Sequence, residues 1–300
     1  MAELKLEELQ ALKAIPDLGG PPRRVVSLVP SMTESLFALG FGATVVGATD
    51  YCIHPAEQLE DMPRVGGPKN PDIDQVVALR PDLVFVNQEE NTRQLVEALL
   101  EAGLQVWLTF PQTVDEAVDV LRQLLGVYHS DLPAMQVDAL QKAVDWATGA
   151  AESGPKLRYF CPVWQDESGG QTWWMTFNRY TYASSLLSIF GGENIFADRE
   201  RRHPLAADLG GDGQDKEAEG DRRYPRVSAE EIIALAPELI LLPSEPFAFG
   251  EEHKQVVYNL LSETPAVQRE RVYLVDGSLI TWHGTRLAKA LQELPVYFSI

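Results

Sequence analysis

One segment of this chain occurs twice, and this repeat limits the possible folds more than any other feature of the sequence. QVVALRPDLVFV begins at Gln75, and EIIALAPELILL begins 156 positions later, at Glu231. In each copy a short helical pattern ends at a proline, which cannot continue a helix, and an apolar run follows. An apolar strand without polar interruption, placed between helices, is typical of a parallel sheet covered on both faces.

Polar residues stand where they can cap the helices of this pattern. A side chain at the first position can accept from the backbone three residues later, and a glutamate or glutamine there can reciprocate. The spacing predicts capping pairs at Asp72 and Gln75, at Ser228 and Glu231, and at Ser31 and Glu34 after a short strand from Val25 to Val29.

The distance between the two copies indicates two related lobes rather than a solenoid of adjacent repeats. A chain of 300 residues is also long enough for two ordinary domains. We predict an α/β fold with an N-terminal lobe over 1–130, a bridging helix over 131–152 and a C-terminal lobe over 153–300. Two such lobes leave a cleft between them, where a ligand can bind.

The bridge is predicted from apolar residues at helical spacing between Asp131 and about Ala150. These residues are Leu132, Met135, Val137, Leu140, Val144 and Ala147. A glycine-rich acidic stretch around 205–223 shows no periodicity, and we expect an exposed, mobile insertion there.

The charge of the chain excludes several classes of partner. Lys and Arg total 25 against 44 Asp and Glu, giving a net charge of −19, which repels nucleic acid and anionic lipid. No apolar run reaches the roughly 18 residues that a membrane-spanning helix needs. We therefore expect a monomer that binds no nucleic acid and is not integral to a membrane.

The N-terminal residues and the cysteines bear on the cellular compartment. The N-terminus has no basic stretch followed by an apolar one, so it does not look like a secretion signal. We therefore expect a cytoplasmic protein, or a periplasmic or otherwise extracytoplasmic one if a signal has been removed. Cys52 and Cys161 are too few for a disulfide framework and lack metal-binding spacing, and we expect small buried thiols.

Ligands of open parallel sheets bind beyond the carboxyl ends of the strands, where the loops diverge. This rule selects the loops Ser31 to Thr33, Tyr51 to His54, Asn87 to Asn91, Pro162 to Trp174, Glu245 to Phe249 and Thr281 to Arg286. Several large rings fall in or near the last three loops: Trp164, Trp173, Trp174, Trp282, Phe247 and Phe249. Such rings suit a flat, bulky, partly apolar ligand, although any one of them could instead pack in the core.

Polar residues in the same loops have two possible roles each. His54 and His283 could contact a metal or be structural, and Arg179 and Arg286 could bind a ligand carboxylate or amide or form salt bridges. Glu89, like Glu90 and Glu245, could accept hydrogen bonds or coordinate a cation. The predicted ligand contacts are Ser31, Met32, Tyr51, His54, Glu89, Trp164, Trp174, Arg179, Tyr180, Phe247, Trp282, His283 and Arg286.

The sequence contains none of the common catalytic motifs. There is no P-loop, no GxGxxG after the first strand, no GxSxG and no HExxH. We therefore predict no catalytic residue, no metal held by the protein's own side chains and no cofactor of its own.

Five stretches together resemble a known superfamily: RVVSLVPSMTESLFALG, VVGATDYCIHP, PRVGGPKNPDIDQVVALRPDLV, GGENIF and VSAEEIIALAPELILL. From about Arg24 to the C-terminus the chain is similar to the helical-backbone metal receptors, also called class III periplasmic binding proteins. Within that superfamily it resembles the cobalamin and siderophore substrate-binding proteins of ABC importers. The resemblance implies two Rossmann-like lobes joined by one rigid helix, with a chelated metal or corrinoid bound between them.

The resemblance also implies a role for two acids. In the cobalamin-binding members one acid of each lobe docks onto arginines of the transporter, and the matching positions here are Asp74 and Glu230. Asp74 is shorter than the glutamate of the family, and both acids could simply support the first turn of a helix.

The leading hypothesis is therefore a non-catalytic binding protein for a metal chelate, delivered to the permease of an ABC importer. Cobalamin or another corrinoid is the first expectation, followed by haem or a ferric siderophore. Two alternatives remain: a metal-dependent enzyme using Cys52, His54, His283 and the loop glutamates, and a cytoplasmic carrier or scaffold that has no transporter.

Overall fold

Short strands and helices alternate along the chain, which a computed structural model describes over residues 11–211 and 221–299. The strands are β1 (Val25–Ser27), β2 (Val45–Ala48), β3 (Gly66–Gly67), β4 (Asn70–Pro71), β5 (Leu83–Asn87), β6 (Val106–Thr109), β7 (Leu157–Phe160), β8 (Trp164–Ser168), β9 (Gln171–Met175), β10 (Gly192–Asn194), β11 (Arg226–Ser228), β12 (Leu239–Pro243) and β13 (Val272–Val275). The helices are α1 (Pro30–Ala38), α2 (Ile73–Ala78), α3 (Arg93–Glu101), α4 (Val114–Val127), α5 (Ala134–Ser153), α6 (Tyr182–Ser188), α7 (Leu205–Asp208), α8 (Ala229–Leu235), α9 (Glu251–Leu260), α10 (Pro265–Gln268), α11 (Ser278–Thr281) and α12 (Leu287–Glu293).

Two parallel sheets organise these elements. One has the strand order β2-β1-β5-β6 and the other β10-β7-β12-β13, and the strand pairs within both sheets are parallel. A smaller antiparallel sheet has the order β11-β9-β8, and β3 pairs with β4. The predicted α/β class with parallel sheets is confirmed.

The two copies of the repeat occupy equivalent places in the two parallel sheets. Helix α2 leads into β5 and helix α8 leads into β12; both strands are inner strands, and all their residues are buried. Asp72 accepts from the backbone nitrogen of Gln75, and Ser228 accepts from that of Glu231, as the capping pairs predict. The repeat is therefore one helix-to-strand unit used once in each sheet.

The chain divides into two compact units, each made of three segments. The first contains the described residues of Met1–Pro111, Asp115–Gln141 and Trp282–Leu287, and the second those of Gln112–Val114, Lys142–Thr281 and Ala288–Ile300. Helix α5 contributes residues to both units. The short segment Trp282–Leu287 packs in the first unit, although we assigned it from its position in sequence to the C-terminal lobe.

One predicted cap is wrong. Helix α1 begins at Pro30, its N-cap is Val29, and no side chain caps it. Proline at the first helical position has no backbone donor and has its φ angle already set for a helix, so the helix starts before Ser31 can cap it. Ser31 and Glu34 therefore lie inside the helix, where their side chains make other contacts.

Helix α5 is shorter at its start than predicted, and its buried face is narrower. Val137, Leu140 and Val144 are buried, whereas Leu132 is 94% and Met135 is 83% exposed. Leu132 precedes the helix, and Met135 lies about 200° around the helix from Val137, since each residue turns it by about 100°. Among the described residues, no helix combines the length and apolar character needed to cross a membrane.

The acidic insertion is not entirely irregular. Leu205–Asp208 forms helix α7, and Asp208 is buried between Arg199 and Arg226, with oxygen-to-nitrogen distances of 3.1 and 2.8 Å. A buried carboxylate needs such cationic partners. Both arginines lie outside the stretch around 205–223, whose composition predicts an exposed insertion. Residues 212–220 of the predicted insertion lie outside the described residues.

The tryptophan-rich stretch is a β-hairpin rather than a loop. Trp164 lies on β8, and Trp173 and Trp174 lie on β9. Gly169 and Gly170 join the strands with φ angles of +60° and +78°, which is the conformation that tight hairpin turns require. A Gly-Gly pair between two strand-forming runs was the available sequence signal.

Replacing Ser228 by alanine should destabilise the protein by about 1 kcal/mol, because the Glu231 backbone donor of helix α8 loses its side-chain acceptor. Urea unfolding measures the change. Ser168→Ala, at an exposed position of the hairpin, is the control and should alter the free energy of unfolding by less than about 0.5 kcal/mol. Equal effects of the two substitutions would contradict the capping role.

Candidate functional site

In the first unit, polar side chains meet at the carboxyl ends of β1, β5 and β6, around His283. The imidazole Nε2 lies 3.3 Å from Oγ of Ser31 and 3.1 Å from Nδ2 of Asn87. Asn87 also donates to Thr109 at 3.2 Å. Because an amide nitrogen can only donate, Nε2 of His283 accepts, and the neutral ring carries its proton on Nδ1. Burial lowers the pKa of His283 to about 4, so the ring is neutral at pH 7.

A glycine allows the segment that carries His283 to reach helix α1. Gly284 has a φ angle of +85°, and a Cβ atom there would lie 2.3 Å from Oγ of Ser35. The same Oγ accepts from the backbone nitrogen of Thr285 at 3.1 Å. Only glycine combines this backbone conformation with such a close approach.

The next turn of the segment is held by a buried ion pair. Nε of Arg286 lies 2.8 Å from Oε2 of Glu34, and the arginine side chain is only 3% exposed. The guanidinium also lies over the ring of Trp282, 5.0 Å from its centroid, and His54 meets Trp282 edge-on at 5.8 Å. This arrangement fixes the indole between a cation and a second ring.

Arg64 holds the neighbouring loop, which carries Tyr51 and His54. Its guanidinium donates to the carbonyl oxygens of Thr49, Cys52 and Leu59 at 2.7, 2.8 and 3.0 Å. The Cys52 thiol is buried below the loop and accepts from Thr33 at 3.1 Å, and burial raises its pKa. The loop therefore presents an exposed Tyr51 on a fixed backbone.

In the second unit, four rings form an aromatic cluster beyond the carboxyl ends of β7 and β12. Phe247 meets Trp164 at 5.2 Å, Phe249 at 4.7 Å and His253 at 4.9 Å between ring centroids. Trp164 is 41% exposed, so this cluster offers an open ring to a ligand. Nδ1 of His253 accepts from the backbone of Gly250 at 3.0 Å, which leaves Nε2 of the neutral ring as a donor.

Arg179 and Tyr180 lie on the second unit near β10. Arg179 pairs with Asp198, and Tyr180 is 58% exposed. Arg179 also lines a cavity of about 630 Å³, together with Arg158, Asn194 and other mainly polar residues. Among the residues lining this cavity, only Arg179 belongs to the predicted ligand contacts. The aromatic cluster offers a ring face, which the polar cavity does not, and is therefore the better candidate for binding a flat ligand.

The other predicted site residues are divided between surface and core. Glu89 is exposed beyond β5, whereas Met32 is buried beside Ser31 in helix α1. Trp174 is fully buried and donates to Gln165 at 2.9 Å, so its indole packs in the core of the second unit and a ligand role for it stays only a prediction. Asp74 and Glu230 are both exposed and both occupy the second position of their helices, α2 and α8.

Several residues of the site were missed from the sequence: Glu34, Arg64, Asn87, Thr109 and His253. Glu34 was interpreted as a capping residue, and nothing local indicated its partner 252 positions away. Asn87 begins one of the loops that the strand-end rule selects, although it is not among the predicted ligand contacts. Among the described residues, no group of three or more His, Cys, Asp or Glu side chains could hold a metal ion.

Comparison with known proteins gives consistent matches along the chain. The sequence model of the family described as "Periplasmic binding protein" matches residues 25–279. A vitamin B12-binding protein of Vibrio cholerae serotype O1 is 25% identical over 283 residues, covering 93% of this chain and 90% of that protein.

Solved structures match over a similar extent. The periplasmic vitamin B12 binding protein of Vibrio cholerae has a TM-score of 0.71 at 22% identity, covering 93% of this chain and 97% of that one. A periplasmic heme-binding protein of Roseiflexus sp. RS-1 has a TM-score of 0.68 at 21% identity, covering 92% and 97%. At these identities the likeness shows that the chain shares their fold.

The buried His283 should make stability depend on pH. Its pKa of about 4 in the folded protein lies below the ordinary value of 6.5. The neutral imidazole therefore contributes fully to the free energy of unfolding above about pH 6.5, and this contribution is lost as the pH falls towards 4. Between pH 7 and pH 4 the free energy of unfolding of the protein should fall by about 3 kcal/mol more than that of the His283→Gln variant. Urea unfolding at the two pH values measures both changes. An NMR titration of the imidazole is the independent check, and a midpoint near 6.5 would contradict the burial argument.

Proposed function

The chain belongs to the periplasmic binding protein family, and on that premise we propose that it is a non-catalytic binding protein for a metal chelate, with a corrinoid as the preferred class. The metal would arrive already coordinated as part of the cargo. The protein would supply ring faces and hydrogen-bonding groups rather than metal ligands.

The observation that carries this proposal is the aromatic cluster of the second unit. Trp164 begins β8 and Phe247 follows β12, and the two rings meet there, with the tryptophan 41% exposed. A broad ring face binds a flat macrocycle at little cost in conformational entropy. The relatives named as vitamin B12-binding proteins, which align along most of the chain, favour a corrinoid over other macrocycles.

In the first unit, Tyr51, His54 and Trp282 are aromatic residues among the predicted ligand contacts. Arg64 holds the backbone of the loop that carries Tyr51, and the Arg286–Glu34 pair holds the indole of Trp282 in place. A preformed site of this kind loses little free energy to ordering when the ligand binds.

Replacing Trp164 by alanine should weaken corrinoid binding about tenfold, because one exposed ring face of the cluster is lost. Fluorescence quenching or calorimetry with cobalamin and cobinamide measures the affinity. Trp146→Ala is the matched control, since Trp146 is 78% exposed on helix α5 and belongs to no ring contact of the site. Unchanged affinity of the Trp164 variant would remove the cluster from the site.

We further propose that the protein works outside the cytoplasm and delivers its cargo to the permease of an ABC importer. Asp74 and Glu230 support this because both are exposed acids at the same helical position of the two repeat copies. A hydrogen bond from Ser228 lowers the pKa of the Glu230 carboxyl, which keeps it ionised. Two such charges suit a partner surface that carries arginines.

Asp74→Asn combined with Glu230→Gln should weaken binding to the permease about tenfold or more, because two interfacial charges are lost. Pull-down with a candidate ABC-importer permease of the same organism, in detergent or nanodiscs, is the measurement. Glu152→Gln, an exposed acid elsewhere on helix α5, is the control for loss of charge. Equal binding by all three proteins would show that the two acids only support their helices.

A further inference from the structure

His253 takes its place in the aromatic cluster of the second unit through the start of helix α9. Gly250 is the N-cap of that helix, and His253 is its third residue. A side chain at this position can reach back to the backbone nitrogen of the N-cap, and here that nitrogen donates to Nδ1 of His253 over 3.0 Å. The imidazole also meets Phe247 and Phe249 at interplanar angles of 81° and 80°. The helix cap and the two rings therefore fix the orientation of the imidazole.

The hydrogen bond from Gly250 also determines which ring nitrogen carries the proton. A backbone N–H can only donate, so Nδ1 accepts and the proton of the neutral ring lies on Nε2. Moving this proton to Nδ1 would place two N–H groups against each other and leave the Gly250 donor without its acceptor. Oε1 of Glu252 lies 3.6 Å from Nδ1, too far to hold the proton there by a hydrogen bond. Nε2 is therefore a donor and has no lone pair to offer a metal.

This donor is available to a ligand. Within the described residues, the polar contacts of His253 with Gly250 and Glu252 are both made by Nδ1, and Nε2 is not fully buried. Phe247 contacts both the imidazole and Trp164, whose indole is 41% exposed. The N–H group therefore lies beside the open ring face of the same cluster. A single placed polar group among rings is how ligand pockets fix the orientation of what they bind.

We infer that Nε2–H of His253 donates a hydrogen bond to an acceptor oxygen at the rim of the bound chelate and does not coordinate its metal. His253 is then a specificity-determining residue of the aromatic cluster. It selects chelates that carry an oxygen acceptor beside a broad ring, and it leaves the metal to the ligands that the chelate brings. The inference rests on the proposed function, because it concerns the ligand of the same cluster.

Substitutions of His253 separate the donor from the helix cap. Glutamine and glutamate at this position can both accept from the N-cap backbone, but only glutamine has N–H groups to donate. His253→Gln should therefore bind cobalamin and cobinamide about tenfold more tightly than His253→Glu, as measured by calorimetry. His253→Met, which is uncharged and has no donor, should resemble His253→Glu and so exclude the added charge as the cause. Equal affinities of His253→Gln and His253→Met would refute the donor role.

Absorption spectra test whether the histidine contacts the metal. Coordination by an imidazole shifts the visible bands of a cobinamide whose axial water can exchange. The spectrum of bound aquocobinamide should be the same with the unsubstituted protein and with His253→Gln. A band shift that occurs with the unsubstituted protein and disappears in His253→Gln would show that His253 ligates the metal, and it would overturn the inference.

The tautomer can be tested without any ligand. A heteronuclear NMR spectrum of the imidazole of His253 in the ligand-free protein should show a protonated Nε2 and an unprotonated Nδ1, and the reverse assignment would overturn the inference. The proposed function fails separately. It falls if the unsubstituted protein binds neither cobalamin, cobinamide, haem nor a ferric siderophore, whichever tautomer is found.

Discussion

A buried ion pair between Arg286 and Glu34 is the contact on which the first unit depends. It joins the segment Trp282–Leu287, near the end of the chain, to helix α1. The same segment carries Trp282, His283 and Gly284. Loss of Glu34 would leave the buried guanidinium of Arg286 without its partner, and an unpaired buried charge typically costs about 3–5 kcal/mol. Breaking the pair would therefore also loosen the segment that brings His283 to the polar network at the strand ends.

The same pair also limits what Arg286 can do. Its side chain is 3% exposed and paired with Glu34, so it is not an open anchor for an anion, whereas Trp164 is a partly exposed ring among the predicted ligand contacts. A site built from ring faces and neutral hydrogen-bonding groups recognises shape and polarity rather than charge. Under the proposed function, a site of this kind would suit a large macrocycle whose metal is already coordinated.

Much of the fold was predictable because its determinants are local. The proline after each repeat helix, the buried strands β5 and β12 and the caps at Asp72 and Ser228 all act within a few residues. The site was harder to predict from the sequence, because the contacts of His283 with Ser31 and Asn87 join residues 252 and 196 positions apart. Such pairs arise only where the ends of parallel strands converge, and no spacing in the sequence specifies them. The Gly169–Gly170 pair, by contrast, is a local signal for a β-hairpin, although we predicted a loop over Pro162 to Trp174.

The return of Trp282–Leu287 to the first unit has a consequence for biosynthesis. When the ribosome has produced the sheet β2-β1-β5-β6, the imidazole that Asn87 contacts and the guanidinium that Glu34 contacts have not yet been translated. Domains usually fold in the order in which they emerge, but this one must wait for almost the whole nascent chain. Chaperones would therefore encounter a first unit whose four-stranded sheet has been translated but which still lacks His283 and Arg286, the partners of Asn87 and Glu34.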